Sequence, residues 1–310
     1  MRAPAIAIAV LAIACGGGER APATVAANPV ATPTPAPDPV PAPDPVPAPD
    51  PVPDRSPDLH AAIDALPVIA RIDDLAPTRF VLRGNVTETR GAEMERIARA
   101  VVADVARRFV GAQPRDELAP VDVCLFESEA DYERFGDIAG YGGSLMGYYL
   151  GRERLVVANL DRSVGNLRHE LVHPLIGDHF DDIPSWVDEG LGSLYGTAKL
   201  TDDGVVFLVN YRLRDVRKAI ARGDLPTLDD MALSGDRDMY GRDGMTYYGT
   251  ARYLLLYLDA AGTLDDFYRD LRAEPPTVAR QLELLERYID YDAFLRWTKR
   301  LRKNRIAAKP

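Results

Sequence analysis

Two histidines and a glutamate stand at a spacing that suits a metal ion. His169, Glu170 and His173 form the pattern H-E-x-x-H. On a helix, side chains four residues apart share one face, with Cβ atoms roughly 6 Å apart, so two imidazole nitrogens can bind one Zn²⁺ at about 2.0–2.1 Å. Glu170 can then reach a water at the metal without being a ligand. Because the chain has only 4 histidines, the pattern indicates a metal site rather than two exposed helical histidines.

A catalytic zinc needs a third protein ligand, and two residues after the motif are candidates. Glu189 lies within P-S-W-V-D-E-G-L-G at positions 184–192, where Gly190 and Gly192 would let a helix approach the motif helix closely. His179 follows the second histidine of the motif by six residues, which is the spacing of the longer metzincin motif, although isoleucine stands where that motif has glycine. Both candidates stay open at this point.

The motif and the segment after it resemble a known family. H-E-x-x-H followed by Pro-x-Trp-x-x-Glu-Gly is similar to the gluzincins, the thermolysin-like zinc peptidases, and most similar to their bacterial peptidase-MA-like branch. The resemblance covers roughly residues 145–260. It implies that His169, His173 and Glu189 hold Zn²⁺ and that Glu170 is the general base toward the zinc-bound water.

The resemblance extends to a tyrosine further along the chain. The segment at positions 248–258 is similar to the helix on which aminopeptidases of this clan carry a transition-state tyrosine. By that match Tyr248 would donate a hydrogen bond to the oxyanion. Its neighbour Tyr247, or no tyrosine at all if these residues only pack the helix, are the alternatives.

Three departures from the family pattern affect these expectations. Pro174 disfavours helical geometry at the second histidine, so we expect the helix to kink or end near His173, with Gly177 completing the turn. The aspartate that thermolysin-like enzymes carry four residues after the glutamate ligand is Ser193, so a carboxylate that orients a histidine must come from elsewhere, with Asp181, Asp182 or Asp188 as candidates. The aminopeptidase pattern G-x-M-E-N is absent, which favours an endopeptidase.

The start of the chain has the features of a bacterial lipoprotein. Met1 and Arg2 precede the apolar run Ala3–Ala14, which is too short to span a bilayer, and the small residues before Cys15 resemble the lipobox whose cysteine carries lipid. We therefore expect a signal peptide at residues 1–15 with Cys15 as the lipidation site; a secreted protein cleaved nearby is the alternative. Residues 16–57, in which Pro-Ala-Pro-Asp-Pro-Val occurs three times between Pro35 and Val52, are expected to form a disordered tether.

Cysteine usage and charge exclude several other classes of protein. Cys124 is the only cysteine besides Cys15, so a disulfide framework and a cysteine-based zinc site are excluded, and we expect Cys124 to be buried in the core. The net charge is −10, which gives no electrostatic footprint for nucleic acid. The basic residues near the end of the chain are expected to form a solvated helix face or tail.

The order of sequence patterns predicts an α+β fold for residues 58–310. The resemblance implies a zincin-like, two-lobed metallopeptidase with the motif helix between the lobes. Residues 58–178 would form a lobe with an N-terminal mixed sheet and helices, and residues 179–310 a mostly helical lobe. Strands are expected at Thr78–Arg83, Val121–Phe126, Leu145–Leu150 and Glu153–Ala158. Helices are expected at Ala92–Val110, Ser128–Ile138 with Ser128 as its N-cap, Trp186–Tyr195, Tyr211–Ala221, Tyr247–Leu258, Leu264–Leu271, Val278–Tyr288 and Tyr291–Leu301.

These features together predict a lipid-anchored zinc endopeptidase of the bacterial cell envelope that acts outside the cytoplasm. We expect a monomer with a peptide or protein substrate, and strand Glu153–Ala158 could align that substrate by strand addition. Two alternatives remain. One is a catalytically silent lipoprotein that keeps the zinc fold for binding, and the other is a metzincin-like peptidase with His179 as the third ligand.

Overall fold

The computed structural model describes residues 7–9, 56–113, 118–141, 146–201 and 204–310. The expected lipidation site Cys15, and nearly all of the expected signal peptide and tether, lie outside these described residues. The globular part starts with helix α1 (Ser56–Asp64), two residues before the expected start of the domain. Among the described helices, none is both long enough and apolar enough to cross a membrane.

A mixed sheet forms the first part of the fold. Its strands are β1 (Ala7–Ala9), β2 (Val68–Ile72), β3 (Phe80–Gly84), β4 (Val121–Phe126), β5 (Gly147–Leu150) and β6 (Leu155–Asn159). They lie in the order β1-β5-β6-β4-β3-β2. Strands β3, β4 and β6 are parallel, whereas β2 and β5 flank them in antiparallel pairing. The three-residue β1 pairs antiparallel with the outer side of β5.

Helices cover both faces of this sheet. Helix α2 (Glu88–Val105) and its π-helical continuation (Ala106–Val110) bury their apolar stripe in the larger core with one set of strand residues. Helix α1 and α3 (Glu129–Ala139) pack on the alternate residues, which include Cys124. Every residue of β6 is buried, as expected for a central strand covered on both faces.

The helix that carries the motif is interrupted inside the motif. Helix α4 (Val164–Glu170) ends at Glu170, Leu171 forms a turn, and α5 (Val172–Gly177) follows. The break at Leu171 lies three residues before Pro174 and two before His173, so the expected interruption near His173 is confirmed, and α5 ends at the expected Gly177. Pro174 lacks the N–H that would bond to the carbonyl of Glu170, and its ring crowds that carbonyl. The effect of the proline therefore falls one turn earlier in the helix.

The remainder of the chain is mostly helical. A hairpin of β7 (Lys199–Thr201) and β8 (Gly204–Val206) follows α6 (Ser185–Gly196). Helix α10 (Gly244–Ala261) packs along α6, where Gly190 lies against the backbone of Ala251. The other helices are α7 (Leu213–Arg222), α8 (Leu228–Leu233), α9 (Asp236–Tyr240), α11 (Leu264–Arg272), α12 (Val278–Tyr288) and α13 (Tyr291–Arg300).

The α+β class is confirmed, with a mixed sheet before a run of helices. The last three predicted helices begin at the expected residues and end within one residue of their expected ends. Strand β2 and helices α8 and α9 were missed, because segments of five or six residues are too short to show a helical or strand period. The expected contact of Gly190 with the motif helix is wrong, since Gly190 faces α10.

Replacing Gly165 by alanine is expected to destabilise the fold by about 2 kcal/mol, because the new Cβ would overlap the carbonyl oxygen of Gly196 on α6. Gly177→Ala is the matched control. It also lies on a motif-bearing helix, but an added Cβ there meets no atom within 4 Å, so its free energy of unfolding should stay equal or rise by up to about 1 kcal/mol. Urea denaturation of both variants measures the difference, and equal stabilities would contradict the close helix contact.

Candidate metal centre

The three motif residues lie together despite the break in the helix. His169 and Glu170 are the last residues of α4, and His173 lies in the first turn of α5. Leu171 between them keeps helical dihedral angles, φ −67° and ψ −23°. The two histidine rings have centroids 4.9 Å apart, and one ligand atom from each of the three residues lies within 4.8 Å of the others. This group could hold a metal ion.

Helix α6 brings Glu189 to the same place. Glu189 is fully buried, and its Oε2 lies 3.2 Å from Nε2 of His169. Gly192, one turn further along α6, makes this approach possible, because a Cβ there would lie 3.0 Å from Nε2 of His169. The expected closeness of α6 to the first motif helix is thus made by Gly192.

Several buried polar atoms at this point have no hydrogen-bond partner among the described residues. They are Nε2 of His169, Nε2 of His173, Oε2 of Glu170 and Oε2 of Glu189. A buried polar atom without a partner costs roughly 1–3 kcal/mol, so a cluster of them needs a compensating group. Imidazole nitrogens and carboxylate oxygens are ligands that a Zn²⁺-like cation accepts. These residues therefore fit a metal ion.

The carboxylate that orients a histidine comes from Asp188. Its Oδ2 lies 2.9 Å from Nδ1 of His173, whereas Asp181 and Asp182, the other two candidates, are exposed. The Nδ1 side of the ring therefore faces Asp188, and Nε2 faces the cluster. Histidines that bind a metal through one ring nitrogen commonly contact a carboxylate through the other. Burial works to lower the pKa of His173, but Asp188 outweighs it and raises that pKa above its ordinary value.

The two glutamates of the site have opposite pKa shifts. Burial raises the pKa of Glu170 to about 7, against the opposing effect of the two histidines. For Glu189 burial also acts to raise the pKa, but the imidazole of His169, 3.2 Å away, and the charge of His173 outweigh it and lower the pKa to about 2. Glu189 is therefore an ionised carboxylate at neutral pH, while Glu170 can take up and release a proton there.

Glu189 contacts Tyr240, a residue that no sequence pattern had identified. The hydroxyl of Tyr240 on α9 donates a hydrogen bond to Oε1 of Glu189 over 2.5 Å. Four residues earlier on both helices, Ser185 donates a hydrogen bond to Asp236 over 2.5 Å. The two contacts hold α9 along the first turns of α6 and leave only Oε2 of Glu189 free. Because α9 is only five residues long and Tyr240 follows Glu189 by 51 residues, no local sequence signal predicted this contact.

The predicted tyrosine on α10 lies beside this cluster. Tyr248 is 6% exposed, and its ring centroid lies 6.3 Å from that of Tyr240. Burial, followed by the charge of Glu189, raises the pKa of Tyr248, and its hydroxyl has no hydrogen-bond partner among the described residues. Tyr247 is only half-buried and belongs to the rim of the core. Of the two tyrosines, Tyr248 is therefore the one next to the site.

His179 and Cys124 lie outside the cluster. Nδ1 of His179 lies 3.1 Å from the hydroxyl of Tyr268, and the two rings stack with centroids 6.0 Å apart. Neither His179 nor Glu189 belongs to the group of three mutually close ligand atoms, but Oε2 of Glu189 lies 3.2 Å from Nε2 of His169, which does belong to it. Cys124 is buried in the sheet as expected, and burial raises the pKa of its thiol.

Comparison of the chain with protein-family models gives no match, and comparison with curated proteins gives none either. The likeness to the gluzincins accordingly rests on the motif residues themselves. Of the features in this likeness, the structure confirms a His-Glu-His group, His169, Glu170 and His173, whose ligand atoms lie close enough to hold a metal ion.

We expect His173→Ala to abolish stoichiometric metal binding, because it removes one of two nitrogens that face the cluster. His60→Ala is the matched control, since the side chain of His60 is 61% exposed and lies on α1. Elemental analysis after dialysis against a weak chelator gives the metal content of each variant.

The variants Glu189→Ala and His179→Ala distinguish the two candidate ligand sets by the same measurement of metal content. Metal loss in His179→Ala with retention in Glu189→Ala would contradict the assignment of Glu189.

Proposed function

We propose that this protein is a zinc-dependent endopeptidase with a zincin-like, two-lobed fold of the gluzincin type. One observation carries the proposal. Two imidazole nitrogens and two carboxylate oxygens, all buried and without partners among the described residues, meet between α4, α5 and α6. The mixed sheet with its helices forms one lobe, the helices from α6 onward form the other, and the motif helices lie between them.

In this proposal His169, His173 and Glu189 are the metal ligands and Glu170 is the general base. Glu189 is suited to be a ligand because Tyr240 donates a hydrogen bond to its Oε1, while its Oε2 lies beside His169. Oε2 of Glu170 lies further off, 3.9 Å from Nε2 of His173. The low pKa of Glu189 favours a permanently charged ligand, and the pKa of Glu170 near 7 favours proton transfer at neutral pH.

The side chains divide the work of peptide-bond hydrolysis between them. Zn²⁺, when bound, supplies Lewis-acid activation of water and of the substrate carbonyl. Glu170 takes the proton of the attacking water and passes it to the leaving amine. Tyr248 holds a free hydroxyl beside the site, so it can donate a hydrogen bond to the oxyanion that forms at the carbonyl. Asp188 holds the ring of His173 in place from behind.

The substrate is proposed to bind as an extended strand along β5. We expected strand Glu153–Ala158 to play this part, but β6 is covered on both sides by β4 and β5. Of the five strands between Val68 and Asn159, β5 and β2 lie at the two edges, and the outer side of β5 accepts antiparallel pairing from Ala7–Ala9. A Cβ on Gly147, the first residue of β5, would lie 3.1 Å from Cγ of Glu170. A chain paired with β5 would therefore pass close to the general base.

The proposed location is the outside of a bacterial membrane. The support is in the sequence: the run of small residues before Cys15 and the Pro-rich repeat after it. In this proposal Cys15 carries the lipid, the repeat holds the enzyme away from the bilayer, and the protein acts as a monomer on peptides or proteins. The intact Glu170 favours an enzyme over a binding protein that keeps only the zinc fold.

Glu170→Gln is expected to lower peptide hydrolysis by at least about 10²-fold while metal content stays unchanged, because the amide cannot accept the proton of water. Digestion of an unbiased peptide library by the zinc-loaded protein, with and without chelator, reads out cleavage by mass spectrometry. Glu133→Gln is the control, since Glu133 is exposed on α3. Full activity of Glu170→Gln would contradict the role of Glu170 as general base. A wild-type protein that binds zinc but cleaves no peptide would support the alternative, a binding protein without catalytic activity.

Tyr248→Phe is expected to lower kcat by about 10²-fold with little change in KM, because the lost hydrogen bond forms only in the transition state. Tyr247→Phe is the neighbouring control and should keep kcat within about twofold. Steady-state kinetics on one peptide identified from the library measures both variants. A larger loss for Tyr247→Phe than for Tyr248→Phe would show that the wrong tyrosine has been assigned.

A further inference from the structure

The end of the chain folds back onto the helical lobe. After α13, the backbone N–H of Asn304 donates to the carbonyl of Val209 over 2.7 Å, and the N–H of Val209 donates to the carbonyl of Arg305 over 3.0 Å. The indole of Trp297 donates to the carbonyl of Ala308 over 2.7 Å. These bonds fix the backbone of the segment, whereas the side chains of Arg302, Lys303 and Arg305 are exposed, as expected for a solvated tail.

Arg217 connects α7, which carries the basic residues Arg214, Arg217 and Lys218, to the end of the chain. Its guanidinium donates to the carbonyls of Thr298 and Lys299 at the end of α13, and to the carbonyl of Leu301 beyond it. These bonds satisfy carbonyls that a helix leaves free at its C-terminus. As a result, the basic side of α7 lies directly beside the basic tail.

Two adjoining cavities open between these elements. One has a volume of about 620 Å³ and the other of about 400 Å³, and both are lined by Leu301 and Arg302. The larger volume is within the range of about 300–1,000 Å³ that is typical of small-molecule sites. Among the described residues that line the two cavities there is no aspartate or glutamate. The basic lining residues are Arg214, Arg217, Lys218, Arg300, Arg302, Lys303, Arg305 and Lys309.

This concentration of positive charge needs an explanation in a chain with a net charge of −10. Of the basic lining residues, only Arg214 has a carboxylate within ion-pair distance among the described residues, Asp215 at 3.2 Å. Cations near the last turn of a helix stabilise its dipole, and Arg217 fits that role at the end of α13. Arg302 and Lys303 lie beyond the helix end, around the cavities, where like charges repel one another unless an anion is present.

We propose that these cavities, the basic C-terminal pocket, form a binding site for a phosphate-bearing anion. Arginine guanidinium groups bind phosphate oxygens in pairs, and lysines add point charges. Tyr211, which is 53% exposed, forms part of the same wall. None of the lining residues belongs to the metal centre, so this proposal does not depend on the proposed peptidase activity. The phosphate can belong to a free oligophosphate or to a phospholipid headgroup.

Calorimetric titration of the full-length protein with tripolyphosphate tests the pocket directly. Cys15→Ser in every sample excludes any contribution from an attached lipid. Arg302→Ala/Lys303→Ala is expected to weaken binding at least about tenfold, because it removes two charge-assisted contacts. Arg134→Ala/Arg152→Ala is the matched control, since it removes the same charge at exposed positions elsewhere, and its Kd should stay within about twofold of wild type.

Sedimentation with vesicles distinguishes the two sources of phosphate. Vesicles of phosphatidylglycerol mixed with phosphatidylcholine are compared with vesicles of phosphatidylcholine alone. Binding to anionic vesicles without binding to tripolyphosphate assigns the site to a headgroup, and the reverse assigns it to a free anion. No binding to either probe, or equal losses in the pocket and control variants, overturns the proposal. Lys218→Gln on α7 repeats the test with an exposed residue if the double variant unfolds.

Discussion

The close approach of α6 to the motif helices determines the geometry of the whole site. Gly192 lets the ring of His169 lie against the α6 backbone, and Gly165 and Gly196 bring the two helices together one turn away. Side chains at these positions would push α6 outward. Glu189 on α6 would then move away from His169, and the 3.2 Å between their facing atoms would no longer be kept. The metal site is thus a product of backbone contact between helices.

Burial of the charged side chains at this site costs free energy and also links their protonation to metal binding. Three carboxylates, those of Glu170, Asp188 and Glu189, and two imidazoles share a volume from which water is largely excluded. Taking such charges out of water is costly unless they are paired. Burial raises the pKa of Glu170 to about 7, whereas the adjacent His169 and the charge of His173 outweigh burial at Glu189 and lower its pKa to about 2. A cation in this volume would compensate the unpaired atoms and require neutral imidazoles, so metal binding and protonation are linked.

The sequence predicted those parts of the structure that depend on local pattern. Apolar periodicity located α12 and β4 at the bounds observed, and the side chain of Ser128 begins α3 as its N-cap. The motif itself identified His169 and His173. What could not be predicted depends on which distant segments meet. The sequence left three aspartates, Asp181, Asp182 and Asp188, as equal candidates for the carboxylate that contacts His173. Tyr240 reaches Glu189 only because α9 folds onto α6.

The pairing of α9 with α6 has a consequence for how the chain can vary. Ser185 with Asp236, and Glu189 with Tyr240, are matched at the same four-residue interval on both helices. The connection between the two helices can change in length without altering this match. An insertion of one residue inside α9 would instead rotate Tyr240 by about 100° around the helix relative to Asp236. The orientation of the Glu189 carboxylate therefore depends on the helical phase of the five-residue α9.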